Sequence, residues 1–304
     1  MPRPAATAAQ GTFDHRMAVF GSDDAFLAAA LPFLTEGLAA PGEPAPVAIA
    51  APARLDLLYD ALGPDAERIG RVPHTDWYTG SAANAVARAA AHLATDAGPG
   101  GRVHLLMEPD WGGRAGRSAR ESAEWLRYEA LANLLFAPFA TTALCVYDTR
   151  TAGAAVVAAA RRAHPHTGDY TDPAVLAAEL DAVPLPEAPA HALRLTGAPE
   201  PAAVRVWAAG QGLAPADAEL FGAAVAEAAA AVGPVSGALL WGAAPQCVCE
   251  LRATRPVADP LAGFVPPPAP RPERGQGLWF ARQVCAYVDV RDDAGGSSVR
   301  LQFT

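Results

Sequence analysis

No lysine occurs anywhere in the 304 residues, so all 23 basic side chains are arginines. That absence excludes a phosphate loop of the GKS or GKT kind and a Schiff-base lysine. Asparagine is nearly missing as well: Asn84 and Asn133 are the only two, and none follows residue 133. Coding bias toward Ala, Gly, Pro and Arg accounts for most of this composition, but the chemical exclusions hold whatever its cause. Long apolar runs are also lacking, and none reaches the ~18 residues that a membrane span needs. There is no basic block, and a net charge of −9 argues against direct nucleic-acid binding. The N-terminus, MPRPAATAAQGTFDH, has no apolar signal core; residues 1–12 read as a disordered lead into a cytoplasmic protein that does not touch a membrane.

Cysteine is scarce too. Cys247 and Cys249 alternate along a strand-like QCVCEL, while Cys145 and Cys285 stand alone. No CxxC spacing is present and no histidine follows His191, so all four read as buried reduced thiols.

What is present divides the chain in two. From Phe13, a short strand MAVF leads into the aspartate-led helix DDAFLAAALPFLTEGLA, and PVAIAAP reads as a buried strand. The helix ARLDLLYDALG, the segment RIGRVPHTD, the helix AANAVARAAAHLATDAG and the strand GRVHLLMEP follow. Next come the helix around YEALAN and the buried strand TTALCVYDT. Strands alternating with helices predict an α/β, doubly wound, mostly parallel sheet over residues 13–181. Residues 182–190 are proline-rich and predict a linker. Over 191–304, two helices, two strands joined by an AAP turn and two terminal strands predict an α/β sandwich of a mixed sheet with helices.

The first half has a string of landmarks: FDH near the start, PFLTEGL, EPDWGGR, a helix carrying YEALAN, the strand LCVYD and ARRAHPH. Together they resemble the MEDS sensory domain of methanogen and methylotroph regulators of the DcmR kind. The resemblance implies a RecA-like or KaiC-like fold without a working phosphate loop, consistent with the missing lysine. It departs from the family at GSAANAV, where relatives carry a GRNP-like step. Glu108 and Trp111 follow a strand, where open α/β sheets place ligands. Glu129 and Asn133 are four apart and share a helix face. Along with His15, Arg114, Tyr147, Asp148, His164 and His166 they form a candidate sensory pocket. A small-molecule site, a structural polar network and a metal site remain the three readings. No HxxxH or ExxH motif supports the last, so no metal is assigned. Glu108, Asp148 and His164 are expected at one edge of the sheet, in one pocket.

In the second half, seven prolines fall from Pro256 to Pro272, six of them in DPLAGFVPPPAPRPE, which cannot hold a regular helix. ERGQGLWFARQVCAYVDVR then gives a glycine turn opening a helix, followed by a strand. DPLAG, GQGLW and the terminal SSVRLQF resemble the lid and second glycine box of GHKL ATPases, in the form found in anti-sigma serine kinases. The resemblance implies a nucleotide site at Asp259, Gly263, Gly275, Gly277 and Leu278, with Glu227 at the general-base position. Ala231 stands where the family holds magnesium with asparagine, and Ala253 and Arg255 where an aspartate and a glycine read adenine. A methyl group cannot coordinate a hard cation. The site is therefore expected to be degenerate, with neither ATP nor magnesium as a working cofactor. Asp259 reads as a lid anchor rather than an adenine reader.

The pairing resembles anti-sigma regulatory proteins of partner-switching circuits. The implied partners are a sigma factor and/or a STAS-domain anti-anti-sigma protein, with a small molecule for the sensory half. A homodimer or sigma-factor complex through the second domain should bury at least ~1,200 Å². The alternative is an active serine/threonine kinase; a weaker one is a stand-alone ligand-binding protein.

Overall fold

The computed structural model describes residues 13–96, 102–111, 118–257, 259, 261–265 and 277–304, and divides the chain into units of residues 1–176 and 177–304. The expected N-terminal lead, Arg114 and Gly275 lie outside the described residues.

The first unit runs β1 (Phe13–Phe20), α1 (Asp23–Ala39), β2 (Val47–Ala50), α2 (Pro52–Leu62), β3 (Gly70–Pro73), α3 (His74–Trp77), α4 (Ala82–Asp96), β4 (Val103–Met107), α5 (Ala119–Leu135), β5 (Thr141–Asp148) and α6 (Ala154–Ala163). α7 (Pro173–Asp181) spans the division between the units. The strands form one parallel sheet in the order β1-β5-β4-β2-β3. All of β5 is buried, so TTALCVYD reads as a continuous run rather than an alternation. Its two faces still separate. Leu144 and Val146 pack with Phe26 and Leu34 of α1 and Leu55 and Leu58 of α2. Ala143 and Cys145 face Leu93 of α4 and Tyr128, Glu129 and Ala132 of α5. Helices thus cover both faces.

Local chemistry sets the helix starts. The Ser22 hydroxyl accepts from the Ala25 N–H ahead of Asp23 and Asp24, whose charges suit a helix N-terminus. Ser118 caps α5 in the same way at Glu121, a capping-box spacing. β1 begins four residues before the expected MAVF, because it pairs with β5 in register from Phe13↔Thr141 to Phe20↔Asp148. That places His15 inside the sheet. The segment RIGRVPHTD holds β3, a four-residue edge strand too short and polar to show a period.

The second unit runs β6 (Leu193–Thr196), α8 (Pro201–Gly210), α9 (Pro215–Val232), β7 (Val235–Ala243), β8 (Gln246–Ala253), α10 (Leu278–Val284), β9 (Tyr287–Asp293) and β10 (Gly296–Phe303). Its sheet order is β6-β7-β8-β10-β9, and every pairing is antiparallel rather than mixed. The physical reason lies in the connections: β7–β8 and β9–β10 are hairpins, and the strand after α10 pairs with β10, not with β8. Cys247, Cys249, Leu251 and Ala253 alternate inward against Phe221, Val225 and Ala228 of α9. The expected linker is tied to this unit, where Arg300 donates to the Pro186 carbonyl at 2.7 Å and Arg291 pairs with Asp181.

Gly242 closes the β7–β8 hairpin at φ +103°, and a Cβ there would lie 2.3 Å from the Gln246 carbonyl oxygen. Gly242→Ala is expected to cost about 2–3 kcal/mol in denaturant unfolding, through left-handed strain and lost hairpin pairing.

Candidate functional site

The chain leaves β2 toward β3 through α2 on one face, and leaves β4 toward β5 through α5 on the other. The strand order therefore reverses between β2 and β4, and open α/β sheets place ligands in the crevice at the carboxyl ends of such strands. A cleft of about 410 Å³ opens there, with Arg54, His74, Glu108, Trp111, Asp148 and Arg150 in its wall.

Arg54 organises the cleft. Its guanidinium reaches Asp148 at 2.6 Å and Glu108 at 3.8 Å, and also pairs with Asp23. It lies over the rings of Phe20 and Phe26 at 5.2 and 5.3 Å. Glu108 Oε2 accepts the Ala51 N–H at 2.9 Å, so this carboxylate ties the end of β4 to the start of α2. Burial pushes the Glu108 carboxyl up, and the Ala51 N–H and Arg54 offset only part of that. Asp148 is held down to about 2, first by the Arg150 hydrogen bond, against the opposing effect of burial, with Arg54 helping. A depressed carboxyl stabilises the fold in full above its ordinary value near 3.8, and that contribution is lost as pH falls through about 2. Asp148→Asn should therefore flatten the acid limb of stability below pH ~4. The difference is on the order of 1–2 kcal/mol, because the half-exposed Arg150 is partly screened by water. Unfolding curves recorded at a series of pH values measure it.

A second constellation lies on the α5 face of the sheet. His15 of β1, Glu129 of α5, Cys145 of β5 and His164 at the C-cap of α6 are all buried, with one donor atom of each within 4.8 Å of the others. His15 Nε2 is 3.4 Å from Cys145 Sγ and 3.6 Å from Glu129 Oε2. His164 Nε2 is 3.9 Å from the same carboxylate oxygen. Burial raises the Glu129 carboxyl, but hydrogen bonding to His15 and the charges of His164 and His15 outweigh it, so it sits below the ordinary value. Burial first, and the Glu129 charge second, push the Cys145 thiol well up. Burial, with the neighbouring His15, lowers His164 to about 4. The Tyr147 ring meets His164 edge-on at 6.0 Å and Trp111 at 6.0 Å, so an aromatic path joins this cluster to the cleft.

The family model described as MEDS, the methanogen/methylotroph DcmR sensory domain, matches residues 14–165. This chain belongs to the MEDS family. The match covers half of the chain and both constellations, so the chain carries a sensory domain, which places it in signalling or regulation. No curated protein and no solved structure was found to match it. No helix among the described residues is long and apolar enough to cross a membrane.

Within the MEDS unit the candidate pocket splits. Glu108, Trp111 and Asp148 line the cleft, whereas His15, Glu129, Asn133 and His164 gather at the buried cluster with Tyr147 beside them. Glu108, Asp148 and His164 are thus not in one pocket: His164 belongs to the α5 face, while the two carboxylates turn to the sheet's carboxyl edge. His166 is exposed and bonds Asp14 at 2.9 Å, away from both. Arg54, Arg150 and Cys145 were not singled out in the sequence. A signal existed for Cys145, which is two residues from Tyr147 on a strand and so shares its face. None existed for Arg54, whose partners lie 31, 54 and 94 residues away.

In the second unit, Glu227 is exposed on α9. Asp259 caps a turn by accepting the Leu261 N–H at 2.9 Å. Ala231 and Ala253 are buried among apolar neighbours. A Cβ on Gly277 would lie 2.9 Å from the Glu227 carbonyl oxygen and 3.1 Å from Ala231 Cβ, so the start of α10 sits directly on α9. Leu278 is fully buried, and Gly263 is packed against it.

Proposed function

We propose that this chain is a signal-transduction regulator. Its MEDS unit takes a small polar molecule in the cleft between β2 and β4, and this biases a GHKL-type second unit that binds a sigma factor or its STAS-domain antagonist without using ATP. The observation that carries the sensory reading is the cleft itself, a concave site at the strand-order reversal with guanidinium and carboxylate groups facing one another. A polar ligand can enter by exchanging contacts with Arg54 and Arg150 rather than by stripping bare charges of water.

The second half of the reading rests on the DPLAG and GQGLW motifs and is supported by packing. Arg282, which could have met phosphate charge, donates to the carbonyls of Ala262 and Val288 and lies 4.1 Å over the Phe264 ring. Ala231 puts a methyl group where magnesium would need an oxygen ligand. Triphosphate without a positioned metal has no route to in-line transfer.

Affinity capture with the full chain from native lysate should retain a sigma factor or a STAS-domain protein, read by mass spectrometry. Calorimetry with Mg-ATP should give no binding tighter than ~1 mM, about −4 kcal/mol. Micromolar Mg-ATP affinity, or transfer of the γ-phosphate to a STAS-domain partner, would replace this reading with that of an active serine kinase.

A further inference from the structure

The geometry points to a new metal site: we propose that His15, Glu129, Cys145 and His164 bind one divalent transition-metal ion of zinc-like preference. It stands apart from the cleft reading and does not depend on what the cleft holds.

The first argument is the orientation of the two imidazoles. The Asn133 amide nitrogen faces two backbone carbonyls, Ala163 at 2.7 Å and Ala130 at 3.5 Å, so its oxygen is the atom 3.1 Å from His15 Nδ1. An oxygen there accepts, so Nδ1 is the donor to Asn133 and Nε2 is the nitrogen turned toward Cys145 and Glu129. His164 Nδ1 stands 2.7 Å from the Ala160 carbonyl and is fixed as a donor in the same way. Its Nε2 is fully buried with no hydrogen-bond partner. Metal-ligating histidines are set by this arrangement, the far nitrogen donating to a carbonyl or carboxylate type of oxygen so that the near one is aimed at the ion.

The second argument is distance. The two N···O separations, 3.6 and 3.9 Å, are longer than ordinary hydrogen bonds, and Cys145 Sγ lies 3.4 Å from His15 Nε2 and 3.8 Å from Glu129 Oε2, the range of weak sulfur hydrogen bonds. These separations lie near the edges of a tetrahedron around an ion with bonds of about 2.0 Å to N and O and 2.3 Å to S, which run roughly 3.3–3.5 Å; the four donor atoms all fall within 4.8 Å of one another, so a bound ion draws them inward.

The third argument is charge. Among the described residues the ion-pair partners of Glu129 are the two imidazoles, and the Cys145 thiol lies 3.8 Å from its Oε2. A buried carboxylate needs a cation or a full set of donors. When a divalent ion binds, the Cys145 S–H bond breaks, sulfur keeps the electron pair and bonds the metal, and the proton leaves to solvent. Two positive charges then meet one thiolate and one carboxylate, and the buried group is neutral. The mixed N, O and S donors exclude calcium and magnesium, which take oxygen, and suit zinc-class ions. Four protein ligands leave no open position, so the ion is structural and ties β1, α5, β5 and the end of α6 together.

Cobalt(II) titration of the chelator-stripped full chain, followed by absorption, tests the site. One equivalent should bind with tetrahedral d–d bands and a thiolate-to-cobalt charge-transfer band, and zinc should displace it. Cys145→Ser should abolish the charge-transfer band, and His164→Gln should weaken cobalt binding by at least about 100-fold. Asn133→Ala, a positioning change, should weaken it about 10–100-fold with the spectrum retained. Cys249→Ser and His166→Ala should change nothing. Each variant is also melted with zinc and with chelator; the wild-type chain should gain stability with zinc, and the ligand variants should lose that gain whatever their apo stability. A folded wild-type chain that binds no cobalt overturns the proposal. So does an octahedral spectrum, or binding that survives both Cys145→Ser and His164→Gln.

Discussion

An Arg54→Ala chain is expected to lose about 3–5 kcal/mol of stability in its first unit, among the largest effects of any single polar substitution here. Arg54 is nearly buried and is shared by Asp23, Glu108 and Asp148, the last two buried as well. Deleting it leaves buried Glu108 with the Ala51 N–H as its remaining donor, leaves Asp148 to Arg150, and removes the guanidinium from the faces of Phe20 and Phe26. The comparison that isolates this cause is the triple change Arg54→Met, Glu108→Gln and Asp148→Asn. Removing the charges together should recover a good part of the loss, since breaking a buried pair costs more than replacing it whole. Urea unfolding of the single and triple variants measures both. A single-variant loss under about 1 kcal/mol would mean that water already screens the cleft and that Arg54 is not its organiser.

The same residue shows where sequence reading stops. Periodicity and the buried runs VAIA, VHLLM and TTALCVYD place the parallel sheet, because each is a local signal of strand or helix. Glu129 and Asn133 are legible as a pair because the helix repeat forces them onto one face. The cleft and the cluster are assembled differently. His15, Glu129, Cys145 and His164 come from four elements, and only the register of β1 on β5 and the seating of α5 over them bring their donor atoms together. Such convergence leaves no spacing in the chain, so a search for HxxxH or CxxC does not find it. The edge strand β3 was missed for the opposite reason, since four residues carry too little pattern. In the second unit the AAP turn is legible as a hairpin, but the placing of β10 between β8 and β9, which makes every pairing antiparallel rather than mixed, is a long-range choice that leaves no local pattern.

Gly263→Ala is expected to destabilise the second unit by about 2–5 kcal/mol, the sum of left-handed strain and overpacking. Gly263 sits at φ +79°, and a Cβ there would lie 2.7 Å from both the carbonyl carbon and Cβ of Leu278. Neither can retreat easily: Leu278 is fully buried at the start of α10, and Arg282 holds the adjoining turn through the Ala262 carbonyl at 2.8 Å. The glycine is therefore used for close approach of the DPLAG turn to α10. This gives the DPLAG turn a packing role. Gly210→Ala is the matched control. Gly210 ends α8 at a negative φ with nothing within 4 Å of a Cβ, so alanine should be neutral or stabilising by up to about 1 kcal/mol. Hydrogen exchange resolved along the chain should show loss of protection after Gly263→Ala in α9, α10 and β8, with β1, β4 and β5 unchanged. Wild-type protection of α10 in that variant would show that the turn yields, and would separate the DPLAG motif from the fold of this unit.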